Sequence, residues 1–287
     1  MDKPAGPTSH DVVARVRRAL KIRAVGHTGT LDPFATGLLV VLVGRATRLA
    51  RFVEAEAKTY LATARLGTAT DTDDLAGEAV REAPAGWNPA PAEFAACLAG
   101  FLGTSRQRPP AYSAKKVAGR RSYELARRGA APELAEVEVT VHAIDLVEFA
   151  GDQVVFRATV SAGTYLRAIA RDLGERLGGA AHLVALRREA IGSLRVEDAV
   201  PLDAIGPATA LLPPQAVLPG WPVRELSEKE LIAVRHGRAV EGALKDSLTV
   251  AGGQGGRLLL VHAGHLAAVA ESDGGQLRPV VVLEAAG

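Results

Sequence analysis

Between Gly26 and Leu39 the chain reads GHTGTLDPFATGLL, and this stretch limits the available folds more than any other. Pro33 has no backbone N–H and its ring crowds the residue before it. Asp32 is therefore pushed away from helix toward an extended or turn conformation. Gly26, Gly29 and Gly37 permit sharp turns or close backbone approach. The apolar run that follows predicts a buried strand over Gly37–Val43. A lone carboxylate thus falls on a loop held by a rigid element, a common address for functional groups. The plainer reading of a D-P dipeptide is an Asx turn, with the carboxylate bonding only nearby amides.

On either side of this stretch the pattern is mixed. Ser9 is placed to cap a helix from about His10 to Leu20, with Val12, Val13, Val16 and Leu20 on its apolar face. A helix is expected over Ala46–Ala57, and Lys58–Leu66 alternates as a strand with Tyr60, Ala62, Ala64 and Leu66 on one face. The acidic turn GTATDTDDLAG follows. Its Asp71, Asp73 and Glu82 fall at EF-hand positions one, three and twelve, but Leu75 and Ala76 stand where an oxygen ligand and a glycine belong, which argues against calcium. A helix over Pro91–Leu102 would place Cys97 in the core. Strands are expected at Val137–Val141 and Val154–Val160, with an apolar stretch around Ile144–Phe149 between them. The SAGT turn then leads into a helix with Tyr165 and Arg167 in its first turn. AHLVALRRE reads as a short helix. Four prolines within 211–222 read as a linker. Beyond it, Val223–Gly287 reads as a helix plus short strands (SLTVAG, RLLLVHAG, HLAAVAES, LRPVVVLE), the pattern of a small β-barrel.

The net charge is only +2, so its distribution matters more than its sum. Residues 1–60 carry ten Lys/Arg against five Asp/Glu, and residues 101–130 carry eight against one. In the second of these, Arg106, Lys115, Lys116, Arg120 and Arg121 interleave with Tyr112 and Tyr123. Basic side chains mixed with aromatics suit a nucleic-acid backbone with exposed bases. No Walker A string or G-x-G-x-x-G appears, so no nucleotide cofactor is expected, and one cysteine cannot supply a thiolate zinc site. No apolar run is long enough to span a membrane and no secretory leader is visible, which points to a cytoplasmic protein without a membrane partner.

Five ordered strings, DKPAGPTSHD, GHTGTLDPFATGLL, KTYLATARLGTATDTDD, RQRPPAYSAKKVAGRRSYELAR and SAGTYLRAIARDLGERLGGAAHLVALRR, together resemble the TruB family of bacterial tRNA pseudouridine synthases. Residues 223–287 look like a PUA domain, an RNA-binding barrel. The resemblance implies an α+β fold. It would have a mixed, largely antiparallel sheet in a catalytic domain over 1–210, an RNA-clamping insertion near 104–130, and the PUA-like barrel after the linker. It implies that Asp32 is the catalytic aspartate, that Arg167 pairs with it, and that Tyr60 stacks on the target base. His27 would refill the space the base leaves. Lys3 and Tyr165, with the basic residues of the insertion, would serve RNA binding. The implied partner is the T-stem-loop of tRNA, bound by a monomer without cofactor or metal. Family members carry an apolar strand ahead of the DKP motif. Only Met1 precedes it here, which leaves two readings of that first strand: a start placed too late in the sequence, or a strand that is absent.

The residue types fit the implied chemistry. Breaking the N1–C1′ bond of uridine and rejoining through C5 gains and loses no atoms, so no cofactor is called for. A carboxylate can attack or stabilise the electron-poor sugar carbon. Three other readings compete: a non-catalytic RNA-binding or RNA-folding protein, a glycosidic hydrolase, and a guide-RNA-dependent relative. Binding alone does not call for a carboxylate facing a polyanion. A hydrolase wants a second carboxylate. The guide-dependent relatives carry longer basic extensions.

Overall fold

A computed structural model describes residues 1–113, 116–117, 120–121, 134–242 and 256–284. Lys115, Tyr123 and the SLTVAG stretch named above lie outside them. By packing, the chain forms two compact units.

The first unit comprises Met1–Ser9, Leu31–Leu39 and Ala55–Leu202. Its sheet runs in the order β1 (Asp2–Lys3), β3 (Thr36–Leu38), β13 (Ala181–Ile191), β5 (Lys58–Leu66), β12 (Gln153–Val160), β11 (Val137–Ala150) and β8 (Gly103–Gln107). A short β14 (Leu194–Arg195) adds to β13. Only the β3–β13 pair is parallel, so the sheet is mixed and largely antiparallel. The alternation in β5 works as its sequence predicts: Tyr60, Ala62, Ala64 and Leu66 are all buried, against Val154, Phe156, Ala158 and Val160 of β12. Two small hairpins stand apart, β6 (Thr68–Thr70) with β7 (Ala79–Glu82), and β9 (Lys116–Val117) with β10 (Arg120–Arg121). Helix α3 (Pro91–Ala99) starts at a proline and buries Phe94 and Leu98, while Cys97 is half-buried instead of core. Helix α4 (Leu166–Arg176) follows Gly163, whose φ of +84° a side chain would strain.

One expectation is corrected here. The AHLVALRRE segment is not a helix but β13, a strand paired on both sides. The DKP motif itself supplies the edge strand: Asp2 and Lys3 pair with Leu38 and Gly37, and Arg187 clamps Asp2 with bonds of 2.8 and 3.1 Å. Gly37 makes this edge possible. Its φ is +98°, and a Cβ there would lie 2.3 Å from the Arg188 carbonyl oxygen.

The second unit comprises His10–Thr30, Val40–Glu54 and Asp203–Gly287. Helix α1 (Ser9–Leu20) buries Val12, Val13 and Val16. The apolar run after Gly37 breaks at Leu39, so that β4 (Val40–Val43) leaves β3 and pairs with β2 (Val25–Thr28). A 3-10 turn over Gly44–Leu49 leads into α2 (Ala50–Ala55), in place of one longer helix. The proline-rich stretch holds a further 3-10 turn, Pro214–Val217. The C-terminal sheet is ordered β15 (Val223–Glu225), β17 (Arg257–His262), β18 (His265–Asp273), β19 (Gln276–Val282) and β16 (Val240–Glu241). It packs on α5 (Glu228–Arg235) through Leu231, Val234, Leu258, Leu260 and Leu277, which fits a PUA-like barrel. Arg45, Arg48 and Arg51 donate to the carbonyls of Leu283, Val282 and Val280. Those bonds join residues 40–54 to the tail within this unit.

Candidate active site

The loop carrying Asp32 is fixed from both sides. The Ser9 hydroxyl accepts from the Leu31 N–H at 3.0 Å and donates to the Leu31 carbonyl at 3.2 Å. On the other side the Pro33 carbonyl accepts from Gly6 N–H and from Lys3 Nζ, at 2.9 and 3.1 Å. Lys3 is wholly buried, and its ammonium also donates to the Pro4 and Pro7 carbonyls at 2.9 and 2.8 Å. An ammonium has three N–H groups, and all three are engaged inside the protein. The expectation that Lys3 contacts RNA is therefore corrected: it holds the turn. Burial pushes its amine down to about 8, with the charge of Asp32 opposing and that of Arg188 adding.

Asp32 itself faces α4. Arg167 Nε lies 3.1 Å from Oδ2 and Nη2 lies 3.3 Å from Oδ1, a two-point grip that matches the planar guanidinium to the carboxylate. The Asx-turn reading fails on this geometry, because the carboxylate spends itself on a residue 135 positions away. Arg167 is 5% exposed while Asp32 is 35% exposed, so the cation is interior and one side of the anion stays open. Burial raises the Asp32 carboxyl above its ordinary value. Arg167 opposes that shift, the neighbouring Asp74 adds to it, and Lys3 opposes it.

Arg167 is in turn held by Asp74, Thr72 and Tyr112, of which the sequence singled out only Tyr112. Its Nη1 lies 3.3 Å from Asp74 Oδ2 and donates to the Thr72 carbonyl at 2.9 Å. Its Nη2 donates to the Tyr112 carbonyl at 3.0 Å. Asp74 is buried and fixed by the Thr72 hydroxyl at 2.6 Å and the Ala76 N–H at 3.0 Å. The guanidinium is thus shared between two carboxylates, one interior and one open. Asp71, by contrast, accepts from the Glu78 N–H across its own hairpin.

The other expected site residues divide. Tyr165 caps α4, and its backbone N–H and C=O are both bonded by the Gln107 side chain, at 2.9 and 3.2 Å. Burial raises its phenol, and Arg167 opposes this. Tyr60 is buried on β5, opposite Ala158 and Arg188, and no hydrogen bond joins it to the Asp32–Arg167 pair among the described residues. Arg106 is exposed on β8, opposite Glu138. Lys116, Arg120 and Arg121 belong to the β9–β10 hairpin, in which Arg121 faces Lys116. His27 lies on β2 in the second unit, where its ring meets that of His10 edge-on at 5.5 Å. The structure does not gather it with the pair in one unit.

Comparison with known proteins gives the family. Residues 17–166 match the TruB family pseudouridylate synthase (N terminal domain). The tRNA pseudouridine synthase B of Thermobifida fusca is 44% identical over 98% of this chain and 96% of its own. That of Synechococcus sp. WH7803 is 42% identical over the whole of this chain and 97% of its own. Among solved structures, a Cbf5-Nop10-Gar1 complex gives a TM-score of 0.72 at 25% identity, over 99% of this chain and 84% of that one. An H/ACA RNP bound to a substrate RNA containing 2′-deoxyuridine gives 0.71 at 23% identity, over 98% and 83%, a likeness of fold. With the motifs, the sheet and the aspartate–arginine pair in place, the chain belongs to the TruB family of pseudouridylate synthases.

Proposed function

We propose that this protein is a cytoplasmic, monomeric tRNA pseudouridine synthase that isomerises the T-loop uridine at tRNA position 55. The observation that carries the reading is the open carboxylate of Asp32 held by an interior Arg167. The full-length relatives that bear the name tRNA pseudouridine synthase B support the substrate class.

The chemistry follows from the geometry. Arg167 engages both oxygens of Asp32 from one side, which opposes the rise that burial forces on the carboxyl and leaves its other side for the substrate. The target uridine leaves its stack at a cost of about a few kcal/mol. Asp32 then meets the sugar or the base as the N1–C1′ bond breaks. The base turns, C5 bonds to C1′, the C5 hydrogen is lost and N1 takes up a proton. Tyr60 is the base-stacking group in this reading, and the 104–130 segment grips the RNA backbone. A non-catalytic RNA-folding protein would have no use for an arginine buried to hold a single open carboxylate.

The test is carbodiimide mapping of pseudouridine in unmodified tRNA incubated with the pure protein. A new modification at the T-loop uridine is expected. Its absence, with tRNA bound and the protein folded, overturns the reading.

A further inference from the structure

One turn beyond Arg167 on α4 lies a second arginine, Arg171, which the chemistry above does not use. Residues four apart share a helix face. Arg171 is 18% exposed. Its Nη1 lies 2.9 Å from Asp73 Oδ2, its Nη2 donates to the Arg108 carbonyl at 2.9 Å, and its Nε donates to Asp172 Oδ1 at 2.8 Å. Arg167 makes the parallel pair of bonds one turn earlier, to the Thr72 and Tyr112 carbonyls. The two guanidiniums therefore tie the same two chain segments together: the acidic turn at 72–74, and the stretch 108–112 from which the basic segment departs. Gln107 adds a third tie just before that stretch, through the backbone of Tyr165.

We infer that Arg171 and Asp73 form a positioning pair that sets the root of the basic segment relative to the catalytic arginine, and so governs how tightly tRNA is held rather than how fast the bond is exchanged. Among the described residues no hydrogen bond or ion pair joins Arg171 to Asp32, and its carbonyl acceptor belongs to Arg108, at the foot of a run rich in lysine and arginine. Asp73 supports the arrangement with a backbone φ of +59°, a conformation unusual for a residue with a side chain. Its carboxylate meets α4 at Arg171, and Arg171, Arg167 and Asp172 are the charged groups that act on it.

This inference rests on the proposed tRNA activity, and the test separates the two. Full-length Arg171→Ala, Arg171→Lys and Asp73→Asn are compared with the unaltered chain. Tritium release from C5-labelled uridine in tRNA gives kcat and KM, and filter binding gives the Kd. The expected result is a KM and Kd raised about tenfold in Arg171→Ala, partly restored in Arg171→Lys. Arg171→Ala combined with Asp73→Asn should be little worse than the worse single variant. Single-turnover rates at saturating tRNA should stay within about twofold. A fall in single-turnover rate with unchanged Kd, or an unchanged Kd in a folded Arg171→Ala protein, overturns the inference. If Arg171→Ala does not fold, Asp73→Asn decides on the same two readouts. If the unaltered chain releases no tritium, the proposed function fails, and the Kd comparison alone judges the pair.

Discussion

Arg167 holds Asp32 at 3.1 and 3.3 Å with one side of its guanidinium and Asp74 at 3.3 Å with another. An arginine so placed does three jobs at once. It opposes the rise that burial forces on the Asp32 carboxyl, fixes the direction of its open edge, and satisfies the carbonyls of Thr72 and Tyr112.

Lysine can carry the charge but not the geometry, because an ammonium has no fork to match a carboxylate at two points. Arg167→Lys is therefore expected to lower single-turnover conversion by about 10²-fold or more. It should also cost about 3 kcal/mol of stability, since Asp74 stays buried without its guanidinium. Single-turnover kinetics and urea unfolding check the two parts separately. A lysine variant with near-normal rate would mean that orientation of Asp32 is not what Arg167 supplies.

Asp32→Asn keeps the size of the side chain and removes its charge and nucleophile. Folding and tRNA binding are expected to persist while pseudouridine formation disappears, even with enzyme in excess. Loss of a negative charge facing phosphates should leave binding equal or tighter. Conversion by the folded variant at near the normal rate would remove Asp32 from the chemistry.

Asp73 gives a pH signature. Burial pushes its carboxyl up to about 6 from an ordinary 3.8, with Arg171 the main opposing group. The folded state thus binds this proton more tightly than the unfolded state does. Ionised Asp73 carries a cost above pH 6. That cost is relieved as the folded state takes up its proton between about pH 6 and 4. The stability of the unaltered chain minus that of Asp73→Asn should therefore increase as pH falls through this window. Urea unfolding at several pH values measures it, and a difference that shrinks toward acid would reverse the sign of the burial effect.

Gly37 is where local sequence and long-range packing meet. Alanine there would strain a φ of +98° and drive its Cβ to 2.3 Å from the Arg188 carbonyl oxygen in β13. Gly37→Ala is expected to cost at least about 2 kcal/mol, seen as a lowered melting temperature, with activity lost in step because β3 follows directly on the Asp32 loop.

How much of this was legible in the sequence depended on range. Lys58–Leu66 was readable because one of its faces is buried and the alternation is unbroken. The strand at Ala181–Ile191 was not. It lies between two other strands, buries residues on both faces, and has register shifts after Leu183 and Arg188 that break the period of two. Asp32 and Arg167 were named through the family motifs. Asp74 was missed because Asp71, Asp73 and Asp74 look alike within one acidic turn. Only the fold decides which of them meets a helix 93 residues on. Lys3 was misassigned for a related reason: a lysine near a polyanion site reads as a contact until its three carbonyl partners are seen.

The tail poses the last test. The sequence alone invites a truncation after Pro222 that would leave an intact enzyme with weaker RNA binding. The packing predicts something harsher. Residues 223–287 supply the carbonyl acceptors for Arg45, Arg48 and Arg51, and Arg257, which lies over the Phe52 ring at 5.5 Å from its centre. Phe52 is fully buried and meets Trp221 edge-on at 5.4 Å, so removing the sheet opens an apolar site within residues 40–54. The truncated chain should melt well below the full chain and expose apolar surface, detectable by dye binding. A gentler probe is Arg45→Ala with Arg48→Ala, which removes two side-chain bonds to the β19 end of the sheet at about 1 kcal/mol each. That variant should melt a few degrees lower and keep its single-turnover rate at saturating tRNA, because none of the groups around Asp32 in the first unit is touched. A truncated chain as stable as the full one would mean that the tail folds independently of residues 40–54.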